Sequence, residues 1–239
     1  MISIIIPTLN EEKIIRRTFT GLASLTIPHE IIVSDGKSKD QTVAIAREYT
    51  PHVVEYHGET RQTIAMGRNA GGQIAQGDFL VFLDADCSVK NPDAFFKVAL
   101  ANFEQDKKLV ALTGQLRVLP EMERLSDYLV FNYMNLFFRV MNNFFHIGLS
   151  PGEFQMMKRE AFENVAGYRR DLVASEDTDM FFRLSKIGRT RLDPKLTIFH
   201  TGRRARTIGW PRLLWNWFIN FISVFIFHKS KSPEWTPIR

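Results

Sequence analysis

Gly77-Asp78-Phe79-Leu80-Val81-Phe82-Leu83-Asp84-Ala85-Asp86 decides the fold. A Gly-Asp turn signal leads into an all-apolar run of strand length, and two carboxylates follow at its C-terminal end. In open α/β sheets that edge is where ligands bind. Carboxylates one residue apart can share a hard divalent cation, and such a cation bridges diphosphate oxygens. A D-x-D pair elsewhere often just caps a strand or a turn; here its place behind a buried strand raises the metal reading.

Working outward, residues 2–7, 30–34 and 52–56 read as strands, and 10–25, 38–49 and 61–75 as helices, the second capped by Ser38 or Asp40. Beyond the acids, a helix over 91–106 enters through Pro92, and 110–119 is a further strand. Strands alternating with helices of this length mean βαβ units, a mostly parallel sheet and right-handed crossovers. The 239 residues suit one α/β domain, or a domain with an appendage. Met1-Ile2-Ser3-Ile4-Ile5-Ile6-Pro7 lacks a basic n-region and stops after a strand's length, so it reads as a strand and not a signal peptide. The single cysteine, Cys87, excludes an intramolecular disulfide and fits a reducing compartment, with packing as its expected role.

Charge is unevenly placed. Residues 201–239 hold seven Lys/Arg and one Glu, whereas the other 200 hold 24 bases and 25 acids. The basic balance therefore belongs to the tail, which argues against a nucleic-acid surface and for a local anionic partner such as phosphate or lipid head groups. Two later segments are strongly apolar. In 128–147, Asn132, Asn135, Arg139, Asn142 and His146 form one polar helical stripe opposite a wide Phe/Leu/Met/Val face. In 213–227, Arg212, Asn216, Asn220 and Ser223 do the same, flanked by Trp210, Trp215, Trp217 and by Arg203, Arg204, Arg206, Lys229 and Lys231. Fifteen residues are short for a membrane span, so the last helix is expected to lie in a membrane interface. Either helix could instead bury its face against the sheet or a second copy.

Other residues point to chemistry at the same sheet edge. Pro7-Thr8-Leu9-Asn10-Glu11 and Asp35-Gly36-Lys37-Ser38-Lys39-Asp40 follow the first two strands, where an acid can accept from a base or a ribose hydroxyl. Neither G-x-G-x-x-G nor G-x-x-x-x-G-K-[ST] is present, so phosphates must be held another way. Arg68 lies on the helix leading into the D-x-D strand. Ser175-Glu176-Asp177-Thr178-Asp179 opens a helix with more acids than capping needs, and a helix N-terminus keeps a general base ionised. His200 ends a strand before a basic loop, as a third metal ligand could.

In order and spacing these elements, with Arg68-Asn69-Ala70-Gly71, Lys158-Arg159-Glu160-Ala161-Phe162 and Gly167-Tyr168, resemble an inverting family-2 glycosyltransferase of the GT-A fold across about residues 2–200. The resemblance implies a Rossmann-like α/β catalytic domain over 1–207, with a nucleotide-sugar half (1–119) and an acceptor half (120–207), and a membrane-associating tail over 208–239. It implies that Pro7, Thr8, Glu11 and Asp35 hold the nucleoside of a UDP- or GDP-sugar, with Arg68 near its phosphates. Asp84 and Asp86 would bind Mg2+ or Mn2+, joined by His200. Asp177 would be the general base, with Glu176 shaping the acceptor site. The expected acceptor is lipid-linked, such as a polyprenyl phosphate, at the cytoplasmic face of a membrane. Leu9 departs from the family's common Tyr, and Ser34-Asp35 from its frequent Asp pair. The alternatives are a sugar-phosphate nucleotidyltransferase, which needs a Gly-rich basic first loop that Pro7–Glu11 does not offer, and a non-catalytic membrane-attached scaffold.

Overall fold

A computed structural model describes residues 1–232. The first half runs β1 (Ile2–Thr8), α1 (Ile15–Leu22), β2 (His29–Asp35), α2 (Thr42–Tyr49), β3 (Val53–Glu55), α3 (Ile64–Ile74) and β4 (Phe79–Leu83). Then follow β5 (Ser88–Val89), α4 (Pro92–Gln105), β6 (Leu109–Val118), α5 (Leu125–Asn143), β7 (Phe154–Lys158) and α6 (Arg159–Asn164). The described part closes with α7 (Glu176–Leu184), β8 (Arg189–His200), α8 (Arg203–Ile208) and α9 (Trp210–Phe227). Residues 233–239 of the expected tail lie outside the described residues.

The strands form one sheet in the order β3-β2-β1-β4-β7-β6-β8-β5. Its first four members are parallel, as the alternation of strand and helix requires. β7 then enters antiparallel between β4 and β6, and β8 returns parallel to β6, so the sheet is mixed. Along β1 successive side chains face opposite sides: Ile2, Ile4 and Ile6 join one core and Ile5 the other. The register sets Thr8 beside Asp35, and Leu83 opposite Phe154, which brings Asp84 and Glu153 together.

Three helices start later than their sequence suggests, the second at Thr42 instead of residue 38. The first begins at Ile15, because the amides of Asn10, Glu11 and Glu12 donate to Ser38 Oγ (2.8 Å), Thr42 Oγ1 (2.7 Å) and Asp40 Oδ2 (3.2 Å) across the neighbouring loop. Amides committed sideways cannot open a helix at residue 10, and Asn10 sits at φ 55°, a conformation Asn tolerates. The third begins at Ile64, where Thr63 Oγ1 accepts from the Met66 amide at 3.2 Å.

Two members of the α5 polar stripe, Asn135 and Asn142, face inward, while Arg139 stays exposed. β7 pairs with β6 only at Ala111 and Leu112, which leaves the backbone of Leu116 open on that side. Asn135 fills the gap, donating to Leu116 O and accepting from Leu116 N, both at 2.9 Å. Asn143 does the same for Leu192 on β8 at 3.0 Å, beside the irregularity that follows Gly114 in the β6–β8 pairing. Unpaired backbone groups are costly to bury, so the amides go to the sheet and the apolar face turns outward.

Candidate active site

A cavity of about 760 Å3 lies over the C-terminal edge of β1 and β4, between the sheet and helices α5 and α9. Pro7, Thr8, Glu11, Arg68, Asp84, Asp86, Glu176, Asp177 and His200 all line it, so the structure gathers nine of the ten residues singled out for the site. The tenth, Asp35, stands behind the wall. It is 1% exposed, and its carboxylate accepts from Thr8 Oγ1 (2.9 Å), the Ser38 amide (2.7 Å) and Ser38 Oγ (2.5 Å). It closes the turn after β2 instead of facing the cavity.

Arg68 is the hub of the acidic end. Its guanidinium is buried and donates to Asp84 Oδ1 (3.1 Å), Glu176 Oε1 (3.1 Å) and Gly152 O (2.7 Å), with the Tyr168 ring 5.3 Å away. Burial opposes its charge, but Asp84, Tyr168, Glu176 and Asp177 outweigh that and hold it more firmly cationic than a free arginine. Its neighbour Asn69 bonds both backbone groups of Tyr168, at 2.7 and 2.8 Å, which pins the Gly167-Tyr168 turn beneath the site. Gly152 is needed for this closeness: a Cβ there would lie 2.8 Å from Asp177 Oδ2 and 3.1 Å from Arg68 Nη2. Arg68 is therefore committed to carboxylates, where a donor-phosphate contact was expected.

The acids respond to confinement. Burial, reinforced by Asp177, pushes Glu176 up to about 7, against a reference of 4.5. Burial also raises Asp177 and Asp84, with Arg68 opposing both shifts. Glu153 goes up to about 8 through burial and the nearby Asp84. The sequence reading missed Glu153, although the Pro151-Gly152 turn before an apolar strand marks it as a second acid at this edge. Asp177 Oδ1 accepts from the Thr178 amide at 2.7 Å, and Gln155 Nε2 holds its carbonyl at 3.0 Å. Ser175, at φ 61°, turns the chain so that both acids enter the first turn of α7.

The raised Glu176 has a consequence for stability. Its folded-state affinity for a proton exceeds the unfolded one, so its contribution is complete below pH 4.5 and is lost as pH rises towards 7. Donor-free Glu176→Gln should therefore show a shallower fall of urea midpoint across that window than the unmodified chain. Equal slopes would refute the shift.

The three expected metal ligands are not assembled. Among the described residues no group of three or more His, Cys, Asp or Glu side chains is arranged to hold a metal ion. Both carboxylates are instead paired with arginines: Arg68 donates to Asp84, and Arg203 places Nε 3.2 Å from Asp86 Oδ2 while clamping Glu11 with two bonds of 2.9 Å. Thr201 Oγ1 also donates to Asp86 at 2.7 Å. The two carboxylates still suit a divalent cation. His200 does not join them as expected: its Nδ1 accepts from the Gly202 amide at 3.2 Å and burial keeps the ring neutral, so the ring proton sits on Nε2, a buried donor with no lone pair for a metal. Arg203 reaches Glu11 from 192 positions away, which no local pattern reveals.

Residues 3–166 match the glycosyl transferase family 2 profile. This chain belongs to glycosyltransferase family 2. It is 26% identical over 201 residues to the probable glycosyltransferase YdaM of Bacillus subtilis, covering 78% of the chain and 47% of that relative. A PGL/p-HBAD biosynthesis glycosyltransferase of Mycobacterium bovis is 36% identical over 103 residues, 41% of the chain and 40% of the relative. The 4,4'-diaponeurosporenoate glycosyltransferase of Staphylococcus haemolyticus is 29% identical over 157 residues, 64% and 41%. The chain spans about half, or less, of the length of these curated relatives. Among solved structures, mannosyltransferase PcManGT of Pyrobaculum calidifontis, in complex with GDP-Man and Mn2+, superposes with a TM-score of 0.73 at 18% identity, over 97% of the chain and 65% of its own. S. aureus TarS 1-349 with UDP-GlcNAc gives 0.63 at 19%, over 83% and 57%. The family-2 chain thus has the GT-A fold, with the central sheet mixed and flanked by helices.

Proposed function

We propose that the chain transfers a sugar, with inversion, from a nucleoside-diphosphate sugar to a hydroxyl or phosphate on a lipid-linked acceptor at the cytoplasmic face of a membrane. One observation carries this reading: a single cavity joins an acidic end at the sheet edge to an aromatic end between two helices. Asp84, Asp86 and Asp177 line the first, and Phe131, Phe138, Trp217 and Phe221 the second. A charged diphosphate and a hydrocarbon chain need such opposite surroundings within reach of one another. Family membership favours the donor half, and solved relatives bound to GDP-Man and UDP-GlcNAc are consistent with it. No observation favours the nucleotidyltransferase or the scaffold.

In this reading Pro7, Thr8 and Glu11 frame the nucleoside. Asp84 and Asp86 would hold Mg2+ or Mn2+, which when bound neutralises charge on the departing nucleoside diphosphate. Arg203, which now contacts Asp86, would have to give up that carboxylate to the cation. Asp177 takes the proton of the acceptor hydroxyl, and Glu176, held by Arg68, orients the acceptor beside it. Attack on the face opposite the leaving group inverts the anomeric carbon, and no covalent enzyme intermediate is needed.

Asp86→Ala should abolish the Mn2+-dependent part of donor binding in calorimetry with UDP- and GDP-sugars, leaving weak metal-independent binding. Undiminished metal-dependent affinity would remove Asp86 from the ligand set.

A further inference from the structure

Helix α5 carries its apolar residues on the outside. Leu125, Leu129, Tyr133, Leu136, Val140 and Phe144 follow one another at intervals of four, four, three, four and four, and each is exposed. On α9, Trp215, Phe218, Ile226 and Phe227 are exposed while Asn220 is buried, accepting from the Lys231 and Ser232 amides at 3.0 Å. Of the 19 exposed large hydrophobic residues among those described, 14 lie on 125–145 and 214–227, so this surface is concentrated and not scattered.

The two helices are fixed relative to each other at their starts. Asp127 on α5 accepts from Trp210 Nε1 and from Arg206 Nη2, both at 2.9 Å, and the Phe131 and Trp210 rings meet at 5.3 Å. Farther along, α9 leans away to α7, where Phe225 packs on Phe182 at 4.8 Å. The cavity opens between them. Tyr133, Phe137, Leu214 and Phe218 line it and are also exposed, so its aromatic end is continuous with the outward apolar face.

We infer that this paired face of α5 and α9 docks on an anionic phospholipid bilayer, with the cavity mouth against the lipid. Charge selects the occupant: Arg139 and Arg212 stand exposed on the two helices, and Lys229 and Lys231 just beyond α9. Trp and cations beside an apolar face suit the head-group boundary. A two-fold contact between copies would set these like charges against one another. Among the described residues no helix is long and apolar enough to cross a membrane, and the face as described lies along the surface. Docked this way, the acceptor's chain passes sideways from bilayer into cavity while its head group reaches Asp177. The inference deepens the lipid-acceptor reading and rests on it for that last step alone.

The test uses the full chain without donor or acceptor, sedimented with vesicles of phosphatidylcholine alone or with 30% phosphatidylglycerol. Strong binding is expected to the anionic vesicles, falling at least tenfold in Leu129→Glu/Leu136→Glu/Phe144→Glu, with Mn2+-dependent donor binding and melting temperature unchanged. Arg212→Glu/Lys229→Glu/Lys231→Glu should lose the preference for phosphatidylglycerol. Wild-type failure to bind, or α5 variants that bind as well as wild type, overturns the docking. So does light scattering that shows a dimer dispersed by the same α5 substitutions. Vesicle binding without transfer to any lipid acceptor keeps the docking and refutes the acceptor reading.

Discussion

Asp177→Asn is expected to lower sugar transfer by about 10^2–10^4-fold, the usual worth of a positioned general base, while donor affinity stays within about twofold. The amide is close in shape to the carboxylate, so the bond from the Thr178 amide at 2.7 Å can persist and α7 keeps its first turn. What disappears is the acceptor for a proton. Burial raises Asp177 and Arg68 opposes the rise, so Asp177 is a stronger base than an exposed aspartate. Turnover of nucleotide-sugar and binding of donor with Mn2+, measured on one preparation, decide the matter. Loss of both would assign Asp177 a folding role. Transfer within tenfold of wild type would move the base elsewhere, with Glu153 the next acid on the cavity wall.

What could be read from sequence divides by distance along the chain. The run Phe79–Leu83 and the acids behind it are local, and a buried strand can hardly end otherwise than at a sheet edge, so the cavity floor was legible. The acids opening α7 were legible for the same reason: three of them in one first turn exceed the needs of the dipole. The partner of each charge was not legible. Arg68 meets Glu176 from 108 positions away, and Arg203 meets Glu11 from 192, through a sheet whose strand order no periodicity states. The amphipathic pattern of α5 showed which residues share a face but not which face meets the protein. That was decided by the open backbone of Leu116 and Leu192, to which Asn135 and Asn143 are matched.

Arg68→Met should destabilise the fold more than Asp177→Asn, Glu176→Gln or Asp86→Ala. Removing one partner of a buried pair leaves uncompensated charge and costs about 3–5 kcal/mol, or about 6–20 °C in Tm for a chain of this size. The guanidinium side chain is 2% exposed and that of Glu176 7%, so water cannot repair the loss. Asp84, with 33% of its side chain accessible, recovers in part. Lys at the same position keeps the charge but cannot span Asp84, Glu176 and the Gly152 carbonyl together, so it should rescue only a fraction. The deficit also has a sign in pH. Without Arg68, the already raised Glu176 and Asp84 rise further; the folded state then favours their protonated forms, and its deficit grows as pH climbs. Denaturant midpoints of Arg68→Met should therefore lie nearer wild type at pH 5 than at pH 8. Adding Glu176→Gln to Arg68→Met removes one stranded carboxylate and should return part of the stability at pH 8. Additive losses in that double variant would show that Arg68 and Glu176 do not act as a pair, and the account of the acidic end would have to be rebuilt around Asp84.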